Sequence, residues 1–178
     1  IIYSAALMGF FWGQVRLGAR TQSERSWQEA SELALCHSYD EALPYYVSLK
    51  HRFEDNPYFL YNYAAVFTEA KEYEKALKVA LECRKYWADY DLELLLGDIY
   101  REKKDYKQAE EYYMSASYMC PSRFLPLYQL YELYKCIGNT EKASELAKIL
   151  LEKPAKVNSM LIKRIKYQLK KECELLIL

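Results

Sequence analysis

A short sequence pattern recurs four times in this 178-residue chain at a nearly constant interval. Each copy ends in an alanine, and successive alanines are 34, 33 and 34 residues apart. Apolar residues at helical spacing precede and follow each copy, so one interval accommodates a pair of helices. A helical pair of this size cannot bury its apolar face alone and must stack on its neighbours. The four copies are Tyr39–Ala42, Tyr73–Ala76, Tyr106–Ala109 and Thr140–Ala143.

The residues between the copies predict where the helices start and turn. Asn56 can cap a helix whose first residue is Pro57, and Gly138 with Asn139 predicts a turn inside the fourth pair. Only five glycines and five prolines occur in the whole chain, which favours long helices over β-hairpins. We therefore predict four helical hairpins, at residues 24–55, 56–89, 90–121 and 122–155.

The third repeat resembles the tetratricopeptide repeat most closely. The resemblance extends over residues 24–155 and implies an all-α fold, a right-handed α-solenoid of four tetratricopeptide-type helical hairpins. An N-terminal apolar helix and a C-terminal covering helix would flank the hairpins. The family binds partner proteins, so the resemblance implies an interaction scaffold. The matching residues of the third repeat are Leu96, Gly97, Tyr100, Tyr106, Ala109, Tyr113, Ala116 and Pro121.

The N-terminal segment is almost entirely apolar from Ile1 to Trp12. It is shorter than the roughly 20 residues that span a bilayer. We expect residues 1–23 to be the end of a transmembrane helix with a basic flank; the alternative is an apolar helix packed on the first repeat. Arg16, Arg20 and Arg25 follow the apolar run, and the positive-inside tendency would place them on the cytoplasmic side.

Residues 156–178 are predicted to form a helix that covers the last hairpin. Leu161, Ile165, Leu169 and Cys173 share one face, as expected where stacked repeats end. The basic residues on the rest of the helix indicate either a solvated surface or a surface that contacts an anionic membrane. These basic residues are Lys163, Arg164, Lys166, Lys170 and Lys171.

Three stretches are similar to a narrower group of proteins: Asp89–Tyr100, Ala116–Tyr134 and Lys153–Ser159. They resemble the C-terminal repeat region of bacterial O-antigen ligase or polymerase-like membrane proteins. That resemblance implies an accessory domain of an envelope polysaccharide enzyme in the bacterial inner membrane, with the repeats on the cytoplasmic side. No residue here matches the catalytic residues of those proteins. The alternative is a free-standing soluble tetratricopeptide adaptor.

The charged and nucleophilic residues show no pattern typical of catalysis. The 25 basic and 25 acidic residues balance, which disfavours nucleic acid as a partner. The five cysteines form no C-x-x-C pair and are expected to be free, buried or half-buried thiols in a reducing compartment. His37 and His51 are expected to be ordinary exposed side chains. We therefore predict no catalytic residue, no metal, no cofactor and no small-molecule substrate, and regard the chain as not itself an enzyme.

Partner binding is predicted in a concave groove lined by the first helices. One position per repeat points into that groove in tetratricopeptide stacks, and here three of the four such residues are aromatic. Aromatic rings offer contact area to a protein or peptide at low entropic cost; alternatively, they only fill the interior. No Lys/Asn pair occurs one turn apart, so a clamp for chaperone carboxylates is excluded. The positions are Trp27, Tyr61, Leu94 and Tyr128, followed by Ser31, Ala65, Asp98 and Glu132, with Arg101 and Lys135 close behind.

Overall fold

A computed structural model describes residues 20–155 and 159–175. Within these residues the chain forms nine α-helices, one short 3₁₀ helix and no strand, which confirms the all-α prediction. The helices are α1 (described over 20–35), α2 (Tyr39–Leu49), α3 (Pro57–Glu69), α4 (Tyr73–Cys83), α5 (Tyr90–Glu102), α6 (Tyr106–Met119), α7 (Leu125–Cys136), α8 (Thr140–Glu152) and α9 (Met160–Leu175), with the 3₁₀ helix at Lys50–Arg52.

The chain divides into two compact units, the first ending at Tyr86 and the second beginning at Trp87. In the first unit, α2 packs on α3 and α3 packs on α4. In the second unit each helix from α5 to α9 packs on the next along the chain. The second helix of each pair begins at the residue that opens a copy of the sequence pattern. The repeat limits drawn from the sequence stay a prediction.

One backbone arrangement ends the first helix of all four pairs. In each turn between the two helices of a pair, one residue has a positive φ, between 61° and 77°. The amide of the following residue then donates a 2.9 Å hydrogen bond to the carbonyl five residues earlier. This Schellman-type arrangement satisfies carbonyls that the helix end would leave unpaired. The positive-φ residues are His37, Lys71, Lys104 and Gly138.

Side-chain caps fix the starts of several helices. Asn56 accepts hydrogen bonds from the amides of Tyr58 and Phe59 at 3.0 and 3.1 Å, and Pro57 opens α3 as predicted. Asp105 caps α6 and Asn139 caps α8 through the amides three residues on. Each cap gives an acceptor to a backbone amide that the helix itself leaves unpaired. Contacts within three residues therefore determine where these helices start.

The repeated alanines lie where helices touch. Ala42, Ala76 and Ala109 have no exposed surface, and Ala143 is 5% exposed. A methyl group at a helix crossing lets two backbones approach closely, and a larger side chain there has no free volume to enter.

Leucine in place of Ala109 is therefore expected to destabilise the second unit by about 1–3 kcal/mol through overpacking. Lys107 lies on the same helix and is exposed, so Lys107→Leu should be nearly neutral. Urea unfolding followed by circular dichroism measures both variants. Equal losses would show that the alanines do not mark the helix contacts.

Helix α9 completes the core of the second unit. Ile165 and Leu169 are 1% and 0% exposed and lie in one apolar cluster with Leu133 and Leu150. Leu161, which the sequence pattern placed on the same face, is instead half exposed at 50%. Its side chain borders a hollow that Phe124, Leu125 and Ile162 also line.

The predicted location in the bacterial inner membrane is wrong. Among residues 20–155 and 159–175, no helix combines the length and the apolar composition needed to cross a bilayer. Helix α9, for example, has 16 residues and carries five basic side chains, whereas a membrane-spanning helix needs about 20 mostly apolar residues. The apolar segment Ile1–Trp12, on which the prediction rested, lies outside the described residues.

Candidate functional site

The first two predicted groove residues, Trp27 and Tyr61, are half-buried in the first unit. The Trp27 ring lies 5.3 Å from the ring of Phe53 and 5.5 Å from that of Phe59, measured between centroids. Trp27 therefore belongs to an aromatic cluster inside the unit, and most of its surface is in contact with other rings.

The aromatic cluster continues along α2 and α3. Tyr46 and Tyr63 stack with centroids 5.4 Å apart and planes within 5°, and Tyr63 lies 4.5 Å from Phe67. Burial raises the pKa of Tyr46, although its contact with the Ser31 hydroxyl at 3.3 Å acts in the opposite direction. These rings have few rotatable bonds and form a rigid part of the core of the first unit.

A cleft of about 500 Å³ lies one helical turn beyond Trp27 and Tyr61. Ser31 and Ala34 of α1 face Ala65 of α3 across it, and these small side chains leave the space open. Leu35 at its edge is 81% exposed, an unusual position for a large apolar side chain. The cleft is lined by Ser31, Ala34, Leu35, His37, Tyr39, Tyr46, Asn62, Ala65, Val66 and Glu69.

The polar end of this cleft lies at the turn between α1 and α2. The Tyr39 hydroxyl is 2.7 Å from His37 Nδ1. Desolvation, together with the neighbouring Glu69 carboxylate, raises the pKa of Tyr39. No lysine or arginine of the described residues lines the cleft, although Lys71 lines an adjacent hollow together with Glu69. The cleft thus favours a neutral or positively charged ligand over an anionic one.

Leu94, the third predicted groove residue, is only 6% exposed and lies in the apolar cluster of the second unit. Asp98 accepts a 2.6 Å hydrogen bond from the hydroxyl of Tyr113. Burial and the Asp98 charge raise the pKa of Tyr113. Arg101 donates to Gln129 at 3.1 Å and lies 3.6 Å from Asp98. These polar residues therefore tie α5 to α6 and α7.

The remaining predicted residues of the second unit, on α7, are bonded to α9 or to each other. Tyr128 donates to Gln168 at 3.2 Å, and Lys135 donates to Glu172 at 2.7 Å. Burial and the neighbouring charge of Glu132 raise the pKa of Tyr128 to about 12. Desolvation opposes ionisation of Glu172, but hydrogen bonds from Lys135 and the Tyr131 hydroxyl outweigh it and lower the Glu172 pKa. Helix α9 thus occupies the side-chain groups of α7 that a partner would use.

Two of the predicted positions, Ser31 and Ala65, border this cleft. Three of the cleft's polar residues, Asn62, His37 and Glu69, were not predicted to contribute. Their signal in the sequence is weak, because a polar residue on a helix is ordinary. The small side chains at 31, 34 and 65 were the more informative pattern, since small residues opposite each other leave space. The wider groove stays a prediction.

The cysteines of the described residues lie in different environments. The four described cysteines are free; Cys83 is buried and Cys120 half-buried, but Cys36 and Cys136 are exposed. The Cys83 thiol donates to the Pro57 carbonyl, and burial raises its pKa to about 11. In the described parts of the chain, no three His, Cys, Asp or Glu side chains are grouped so as to hold a metal ion.

Comparison with solved structures identifies the fold of this chain. No family model matches the sequence, and no curated protein matches it. Among solved structures, MamA 41-end from Desulfovibrio magneticus RS-1 is 21% identical, with a TM-score of 0.66 over 70% of this chain and 71% of its own. The chain has a tetratricopeptide-like helical repeat fold.

Two further structures support the tetratricopeptide-like fold. The MamA RS-1 ArsTM double mutant is 18% identical, with a TM-score of 0.64 over 84% of this chain and 76% of its own. Another MamA crystal structure is 13% identical, with a TM-score of 0.62 over 71% of this chain and 69% of its own. At these identities the likeness concerns the fold alone. The resemblance to O-antigen ligase-like proteins gains no support from the comparisons.

Proposed function

We propose that this chain is a repeat adaptor that holds a segment of a partner protein in the cleft beside Ser31 and Ala65. The observation that carries the proposal is the cleft itself, about 500 Å³ of space that Tyr46 of the aromatic cluster helps to line. Preformed apolar clefts with a few convergent polar groups are typical ligand sites in proteins. The exposed Leu35 side chain adds apolar surface that a partner would cover.

The lining of the cleft restricts the chemistry of the partner segment. Small apolar side chains fit between Ala34 and Ala65, while the Asn62 amide can exchange hydrogen bonds with a peptide backbone. Glu69 is the carboxylate of the lining. We infer that the bound segment is neutral or carries a lysine or arginine near Glu69, since an acidic segment would meet like charge.

An adaptor accounts for the findings better than an accessory domain of a glycan-assembly membrane protein does. Proteins with tetratricopeptide-like folds mediate protein–protein interaction, and this role requires no catalytic group in the chain.

The proposal is tested by filling the cleft. Peptides selected from a random display library against the whole chain would be titrated by calorimetry into the wild type and into Ala65→Trp. We expect the substitution to weaken binding at least about tenfold, because the indole occupies the space that the peptide needs. Lys78→Trp introduces the same ring at an exposed position of α4 and should leave binding unchanged. Selected peptides that bind Ala65→Trp as tightly as the wild type would refute the proposal.

A further inference from the structure

The outer face of α9, in the second unit, carries a cluster of positive charge. From Met160 to Lys171 the sequence contains five basic residues and no Asp or Glu. The nearest carboxylate on the helix, Glu172, faces the opposite way and is paired with Lys135. Elsewhere in the second unit, Lys142 does have such a partner in Glu110 at 3.0 Å.

Only one of the five basic residues is used by the fold. Lys166 donates to the carbonyls of Leu151 and Lys153 at 2.8 and 2.9 Å and so closes the C-terminal end of α8. The other four are exposed and form no ion pair with a side chain of residues 20–155 or 159–172. These four residues, which we call the α9 basic face, are Lys163, Arg164, Lys170 and Lys171.

Exposed apolar side chains lie between these charges. Tyr167 is 69% exposed and Met160 is 80% exposed. Residues 160, 164, 167 and 171 recur at helical spacing and form one stripe about three turns long. A hollow of about 450 Å³ beside the stripe is lined by Lys163, Lys166, Lys170, Tyr167, Ile162 and Ala155.

We propose that the α9 basic face is a docking surface for an acidic helical segment of a partner protein. Carboxylates spaced along such a helix would meet the four cations, and an apolar side chain between them would rest on Tyr167 beside the hollow. A single exposed ion pair contributes little, so binding requires several pairs together and should weaken as salt is added. This surface is independent of the cleft and does not require the adaptor function proposed for it.

A protein segment fits this face better than a lipid surface or a nucleic acid does. A helix that inserts into a lipid surface needs a free apolar face, but Ile165 and Leu169 of α9 are buried in the core. Domains that bind nucleic acid usually carry an overall surplus of positive charge, and this chain has none, with 25 basic and 25 acidic residues.

The test uses the whole chain and labelled alanine-based helical peptides that carry glutamate, glutamine or lysine at the same positions. Fluorescence anisotropy at low and high salt measures binding. We expect the glutamate peptide to bind, the other two not to bind, and added salt to weaken the complex. Reversing the four charges (Lys163→Glu, Arg164→Glu, Lys170→Glu and Lys171→Glu) should reduce affinity at least about tenfold.

A matched control separates the α9 basic face from overall charge. Arg25→Glu, Lys78→Glu, Lys85→Glu and Lys107→Glu change the net charge equally at exposed positions outside α9. The control variant should keep at least half of the wild-type affinity.

Three results would overturn the proposal. The first is equal weakening in the two fourfold variants, and the second is no binding of the glutamate peptide at any salt concentration. The third is preferential binding of phosphatidylserine vesicles or single-stranded RNA through α9. If the fourfold α9 variant does not fold, Tyr167→Ala and the milder pair Lys170→Gln with Lys171→Gln replace it and should each weaken binding several-fold.

Discussion

Alanine in place of Gly97 is expected to destabilise the second unit by about 2 kcal/mol, although alanine is the better helix former. A methyl group at Gly97 would lie 2.4 Å from Cε1 and 2.5 Å from Cδ1 of Tyr113. The Tyr113 ring has no exposed surface and its hydroxyl is bonded to Asp98, so the ring has no free direction in which to move. Helix propensity alone predicts the opposite sign, a gain of about 1 kcal/mol.

Equilibrium unfolding in urea would measure the effect of Gly97→Ala, and Gly138→Ala provides a useful comparison. A methyl group at Gly138 meets no atom within 4 Å, but φ there is +77°. Gly138→Ala should therefore lose about 1 kcal/mol through backbone strain alone, and asparagine should recover part of it.

A double-mutant cycle identifies the cause of the Gly97 effect. If the Tyr113 ring is responsible, Gly97→Ala should become neutral or stabilising in a Tyr113→Leu background, because the smaller side chain leaves room for the methyl group. A stabilising effect of Gly97→Ala in the wild-type background would show that α5 and α6 are less closely packed than described.

The helix starts could be predicted from the sequence because their signals are local. Asn56 and Pro57 begin α3 through contacts within three residues, and each repeated alanine marks a helix contact that recurs in every pair. Three of the four hairpin turns gave no such signal, since His37, Lys71 and Lys104 occupy positive-φ positions where glycine is usual. The hydrogen bonds of the turn outweigh the roughly 1 kcal/mol of strain, so residue type alone does not reveal them.

The predicted groove was harder to derive because it depends on which side chains pack on each other. The period of the repeat aligns Leu94 with Trp27 and Tyr61, but it could not show that Leu94 is buried while Ala65 borders a cleft. Nor could the repeat period show that side chains of α9 accept hydrogen bonds from Tyr128 and Lys135. Equivalent positions in a repeat share a backbone geometry, whereas their exposure depends on the neighbouring helices.

Alanine in place of Leu169 should destabilise the second unit by about 2–5 kcal/mol, the largest effect that we expect of one substitution outside the repeats. Leu169 has no exposed surface and shares an apolar cluster with Ile165 and Leu133, so its loss would leave a cavity between α9 and the last hairpin. Stacked repeats need such a covering helix, because the last pair otherwise exposes its apolar side to water.

Tyr167→Ala is the matched control for Leu169→Ala, since Tyr167 lies two residues away on α9 but is 69% exposed. It should leave the free energy of unfolding within about 0.5 kcal/mol of the wild type. Hydrogen exchange would locate the effect. Relative to the wild type, Leu169→Ala should speed up exchange of the amides in α8 and α9 more than in α3 and α4, whose unit does not contain the new cavity. Unchanged exchange in α8 would mean that α9 contributes nothing to the core, and its outer face could not then serve as a fixed docking surface.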